Sequence, residues 1–155
     1  MERLSQVQQN PGARRPFRSD GCSGGLSAGW AFAARHFQRF QQRFGDHPPW
    51  EACCRRHDRA YWKGEARNGV AKRLQADQAL QRCVAATGQR LKTELARDWQ
   101  ISKTQVVQVF DTTAELMYAA VRAGGMPCTG LPWRWGYGWP PCPVINAPES
   151  LEDSD

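Results

Sequence analysis

Two adjacent cysteines, Cys53 and Cys54, constrain this 155-residue chain more than any other feature. They lie in "PPWEACCRRHDRAYWKG", residues 48–64, where two prolines suit a helix start and Gly64 a helix end. The spacing predicts a helix of about 13 residues. On that helix Cys53, His57 and Tyr61 follow one another at i, i+4 and i+8 and share a face. Cys54 and Asp58 share the adjacent face, rotated by about 100°. The segment therefore sets cysteines and candidate catalytic groups side by side on one element.

Three other segments carry a helical period. "GWAFAARHFQRFQQRFG" places Trp30, Ala33, Ala34, Phe37, Phe40 and Phe44 on one stripe and ends at Gly45. "VAKRLQADQALQRCVAATG" carries Val70, Leu74, Leu80 and Val84 and is expected to stop at Gly88. "SKTQVVQVFDTTAELMYAAVRAGG" shows Val106, Val109, Phe110, Thr113, Met117, Ala120 and Val121, ending at Gly124-Gly125. "DGCSGGLSAG" is too rich in glycine for a helix or a regular strand, and "MPCTGLPWRWGYGWPPCPV" is dense in Pro, Gly and Trp. The sequence predicts an all-α fold: a disulfide-linked antiparallel helix pair, a preceding glycine-rich loop and additional flanking helices. Residues 1–19 read as a flexible arm, 20–145 as the folded domain and 146–155 as a disordered acidic tail.

That length suits one domain with a modest core. No run of about 18 apolar residues exists that would read as a transmembrane helix, and the N-terminal residues show no apolar secretory core. Six cysteines, an even number, suit an oxidising, secreted or extracytoplasmic setting. The net charge is +6. Arg55, Arg56, Arg59, Lys63 and Arg67 crowd the His-Asp pair, which suits an anionic partner such as a phospholipid surface or nucleic acid. A solvated surface would look the same by charge alone.

A short turn, "GEARNG", joins the cysteine helix to the next, so the two should pack antiparallel. In that register Cys53 can lie opposite Cys83 and His57 opposite Asp77. Cys22 is a natural partner for Cys54, which would draw the glycine loop against Asp58. Cys128 and Cys142 remain to close a loop over the tryptophans, either as an interfacial binding loop or as a stapled lid. Loop carbonyls and one carboxylate are oxygen ligands, which suit calcium rather than zinc. His57, oriented through its far nitrogen by Asp77, would be general base to a water, beside an ion held by Asp58.

These residues resemble the secreted phospholipase A2 family, whose active-site helix reads C-C-x-x-H-D-x-C-Y. "CCRRHDRAY" matches at Cys53, Cys54, His57, Asp58 and Tyr61, and "ADQALQRC" supplies the family's second Asp and a cysteine six residues on, at Asp77 and Cys83. The likeness covers roughly residues 20–87. Ala60 and Ala76 stand where the family has two mutually bonded cysteines, so one whole disulfide is missing with no orphan left. The short spacer resembles prokaryotic and fungal members that lack the β-hairpin of the animal enzymes. The resemblance implies Ca2+ held by Asp58 and by the carbonyls of Gly21, Ser23 and Gly25, although "DGCSGGLSAG" departs from the family's Y-x-C-G-x-G-G pattern. It implies catalysis by His57 and Asp77, with Tyr61 supporting Asp77. It further implies calcium-dependent hydrolysis of the sn-2 ester of glycerophospholipids at an anionic membrane surface, with no nucleic acid partner.

Two other readings use the same residues. Cys54-x-x-His57, with Cys22, Cys53 or Cys83, would make a structural zinc site in a reducing compartment, and the basic helix would then bind nucleic acid or protein. A phospholipase-like frame without catalysis would be a binding protein.

Overall fold

The computed structural model describes residues 1–19, 21 and 47–143. The helix expected around Trp30 to Phe44, together with Cys22, Ser23, Gly25 and the acidic tail, lies outside the described residues. Within them are α1 (Glu2–Val7), a 3-10 turn (Pro11–Ala13), α2 (Glu51–Lys63), α3 (Gly69–Trp99) and α4 (Lys103–Gly124), and no strand. The fold is all-α.

The α2 helix begins after Trp50 and ends at Gly64, whose φ of 51° is left-handed. Glycine is needed there twice over, because a Cβ would also stand 2.1 Å from the Gly136 backbone. Cys53 near the start of α2 bonds to Cys83 of α3. Positions that rise along α2 thus meet positions that fall along α3, since Tyr61, further along α2, touches the earlier Asp77.

The α3 helix does not stop at Gly88. It runs on for three more turns to Trp99 and ends at Gln100, which takes the left-handed cap conformation. The reason lies in packing. A Cβ at Gly88 would come within 2.4 Å of Phe110 Cβ, so the missing side chain admits α4 at this level instead of breaking the helix. The α4 helix starts with a capping box in which Ser102 and Gln105 satisfy one another's backbone N–H. Trp50, Cys53, Cys54, Leu80, Val84, Leu95, Val106, Phe110, Ala114 and Met117 form the core between α2, α3 and α4.

A second core holds the N-terminal residues, which read from sequence as a flexible arm. Leu4 of α1 is 1% exposed and packs with Tyr61, Trp135 and Trp139. Gln8 clamps the α2–α3 turn, donating to the Gly64 carbonyl and accepting from the Ala66 N–H. The sequence hid this because α1 has six residues, too few to display a period.

The tryptophan-rich loop is stapled by Cys128–Cys142. It closes the C-terminal end of α2, where carbonyls lack helical partners. The Gly136 N–H donates to the Tyr61 carbonyl at 2.7 Å, the Trp139 indole to Lys63 at 2.8 Å and the Trp135 indole to Glu65 at 3.2 Å. Trp135 is 2% exposed and Trp139 is buried, whereas Trp133 remains 48% exposed. Most of this loop is structural cover.

Candidate active site

Asp77, on the inner face of α3, has no exposed surface. An isolated carboxylate there would be costly, so its partners decide what it does. His57 Nε2 lies 3.0 Å from Oδ1, and the Tyr61 hydroxyl donates to the same oxygen at 2.7 Å. The Arg122 guanidinium, from the last turn of α4, donates to Oδ2 at 2.8 Å. Arg73, one turn before Asp77 on α3, stands 4.0 Å from Oδ2 and donates to the Val121 and Arg122 carbonyls. Three helices thus converge on one carboxylate.

These contacts set the protonation states. Burial by itself would raise the Asp77 pKa, but hydrogen bonds from His57, Arg122 and Tyr61 more than offset that and hold it below its ordinary 3.8. Burial likewise disfavours the His57 imidazolium, yet the carboxylates of Asp58 and Asp77 outweigh it and raise the pKa above 6.5. Burial, then the hydrogen bond to Asp77, pushes the Tyr61 phenol well up, so it stays a donor. An ionised Asp77 can only accept, which fixes the neutral His57 tautomer with its proton on Nε2. The lone pair then sits on Nδ1. The rings of His57 and Tyr61 lie 4.2 Å apart, and Trp135 meets Tyr61 edge-on at 5.1 Å, so the imidazole is held from behind as well.

His57 Nδ1 faces Asp58 Oδ1 at 4.0 Å, too long for a direct hydrogen bond. Asp58 is half-buried. Arg55 and Arg59 flank it in sequence, yet among the described residues no lysine or arginine pairs with it. Its Oδ2 instead accepts from the Ser19 hydroxyl at 2.6 Å, and Ser19 Oγ accepts from the Gly21 N–H at 3.2 Å. The beginning of the glycine-rich stretch is thereby brought to Asp58, with Gly21 at a left-handed φ of 70°. Asp58, Ser19 and the nearby backbone are hard oxygen donors, a set that fits a calcium ion and not a soft metal. Among the described residues no cluster of three His, Cys, Asp or Glu side chains is present, so carbonyls, water or substrate oxygens would have to complete the coordination.

Of the residues singled out from sequence, His57, Tyr61 and Asp77 are in mutual contact and Asp58 borders them. Gly21 is linked to Asp58 through the Ser19 hydroxyl, while Ser23 and Gly25 are outside the described residues. Ala60 and Ala76 line one cleft between α2 and α3. Cys53, Cys83 and Cys54 are all disulfide-bonded, and the expected partner of Cys54, Cys22, is outside the described residues. Sequence reasoning missed Arg122 and Ser19. A basic residue in a helix's last turn reads as a partner of the helix dipole, and a serine in an irregular stretch carries no signal.

Comparison with known proteins finds no matching family model, no similar curated protein and no similar solved structure.

Proposed function

We propose that this protein is a calcium-dependent phospholipase A2-type hydrolase that cleaves the sn-2 ester of glycerophospholipids with a His57-activated water. The observation that carries the reading is the polarity of His57: Nε2 is pinned to a buried carboxylate, and Nδ1 is turned toward Asp58. A general base needs one nitrogen fixed and the other free, with the tautomer imposed from behind. In the reaction Nδ1 takes a proton from water as the water oxygen attacks the ester carbonyl. Asp77, held by Tyr61 and Arg122, steadies the imidazolium formed. His57 then returns the proton to the leaving alkoxide, releasing fatty acid and lysophospholipid.

Asp58 would hold the calcium together with the carbonyls of Gly21, Ser23 and Gly25. When bound, the ion supplies positive charge where oxyanion charge develops. The disulfide-bonded sulfurs have no thiolate to offer zinc, which favours this reading over a zinc-stabilised module. They also suit an extracytoplasmic setting, and no helix among the described residues is long and apolar enough to cross a membrane. The charge of +6 suits an anionic phospholipid surface as the partner.

The test is a mixed-chain phospholipid with different acyl groups at sn-1 and sn-2. Release of the sn-2 acid alone supports the proposal; release of the sn-1 acid, or of none, contradicts it.

A further inference from the structure

We propose that the cavity between α1 and the Cys128–Cys142 loop is a binding site for a small multivalent oxyanion of the phosphate type. The cavity has a volume of about 480 Å³, and Arg3 and Arg134 both line it, with Thr129, Pro141 and the disulfide on its rim. It takes no part in the His57 chemistry, and the proposal stands apart from the hydrolase reading.

Arg134 is the unusual element. It is only 7% exposed, and a guanidinium so far from water is ordinarily paired with an acid. Among the described residues no carboxylate reaches it. Its one hydrogen bond there is from an amino group to the Trp139 carbonyl at 2.8 Å, which accounts for one of five donors. Burial, then the charge of Arg15, depresses its pKa, so a further cation bears on the same region. Arg3 adds an independent sign. An amino group of its guanidinium donates to the Pro143 carbonyl, while its Nε is buried without a partner among the described residues. Two guanidiniums with spare donors, in a positive field where no described residue supplies an acid, match an anion with several oxygens and more than one charge. One carboxylate would leave positive charge uncompensated; a phosphate dianion would not.

The probe is inorganic phosphate at pH 8 with the whole chain, at constant ionic strength against chloride and with a chelator present to keep calcium out. A ligand that binds only the native state raises Tm, and at a hundredfold excess over Kd a saturable rise of roughly 5–10 °C is expected. Arg3→Gln, at a partly exposed position, should weaken phosphate binding at least tenfold while far-UV circular dichroism stays unchanged. Thr129→Glu, on the exposed rim, puts a carboxylate into the cavity. It should raise Tm without phosphate and abolish the response to it. Sedimentation with phosphatidylcholine vesicles carrying phosphatidic acid separates the sources. Retention lost in Arg3→Gln assigns a lipid headgroup, and a Tm response without retention assigns a soluble anion. No phosphate-specific rise in the wild type, or a rise that persists undiminished in either variant, overturns the site.

Discussion

A carboxylate with no exposed surface stays ionised only when enough donors converge on it, and Asp77 collects them from His57, Tyr61 and Arg122. Its depressed pKa has a definite sign for stability. The stabilisation is complete above the unfolded value, near 3.8, and is lost as pH falls through the lower folded value. Asp77→Asn should therefore be strongly destabilised at pH 7, with the gap to wild type in urea midpoint narrowing below about pH 4. A gap independent of pH would show that Asp77 is not held ionised. His57→Gln keeps an amide donor at the Nε2 position that faces Asp77 but cannot take a proton. It should lose about 10²–10⁴ in kcat while its thermal unfolding stays close to wild type. The His57 imidazole, followed by NMR in chelator, should titrate above 6.5. Calcium should lower that value, because it neutralises the nearby Asp58 charge. At this scale the sequence was legible where residues lie on one or two helices, as the i, i+4, i+8 face of α2 does. Arg122 was not legible, because it lies 45 residues from Asp77 and only α3–α4 packing unites them.

Among the elements, α3 is where local reading and tertiary structure part. Glycine at position 88 reads as a helix stop, yet the helix passes through it because α4 packs against that bare backbone. Gly88→Ala gains about 1 kcal/mol in helix propensity, but places a Cβ 2.4 Å from Phe110 Cβ. Overpacking at an anchored atom outweighs propensity, and a net loss of about 1–3 kcal/mol is expected from urea unfolding. A stabilised variant would mean that α4 does not sit this close. The Cys53–Cys83 bond spans 30 residues and ties α2 to α3 beside the site. Replacing both cysteines by alanine should cost about 3–4 kcal/mol through the unfolded chain. The α2 helix was legible to its last residue, since prolines, glycine and period agree there. The tryptophan-rich loop was not, because composition cannot separate a membrane-facing aromatic from one that caps carbonyls. In the fold Trp135 and Trp139 do the latter, and Trp133 is left exposed.

Over the whole molecule there are two cores, and Tyr61 belongs to the second. One is the three-helix core around Val84 and Phe110; the other joins α1 to the stapled loop behind the Tyr61 ring. The N-terminal residues therefore support the helix that carries His57, although six helical residues gave no sign of it in sequence. Leu4→Ala should cost about 2–4 kcal/mol by loss of a fully buried side chain. Its effect on kcat should be far smaller than that of His57→Gln, because an aliphatic side chain moves no proton. The central claim is that His57, Asp77 and Asp58 form a calcium-assisted hydrolytic site. Its most direct test is fatty-acid release from anionic phospholipid vesicles by the oxidised protein, with calcium and then with excess chelator, for wild type and His57→Gln. Release by wild type in calcium alone, and none by the variant, is expected. Release that persists in chelator or in the variant, or that is absent throughout, would contradict the claim.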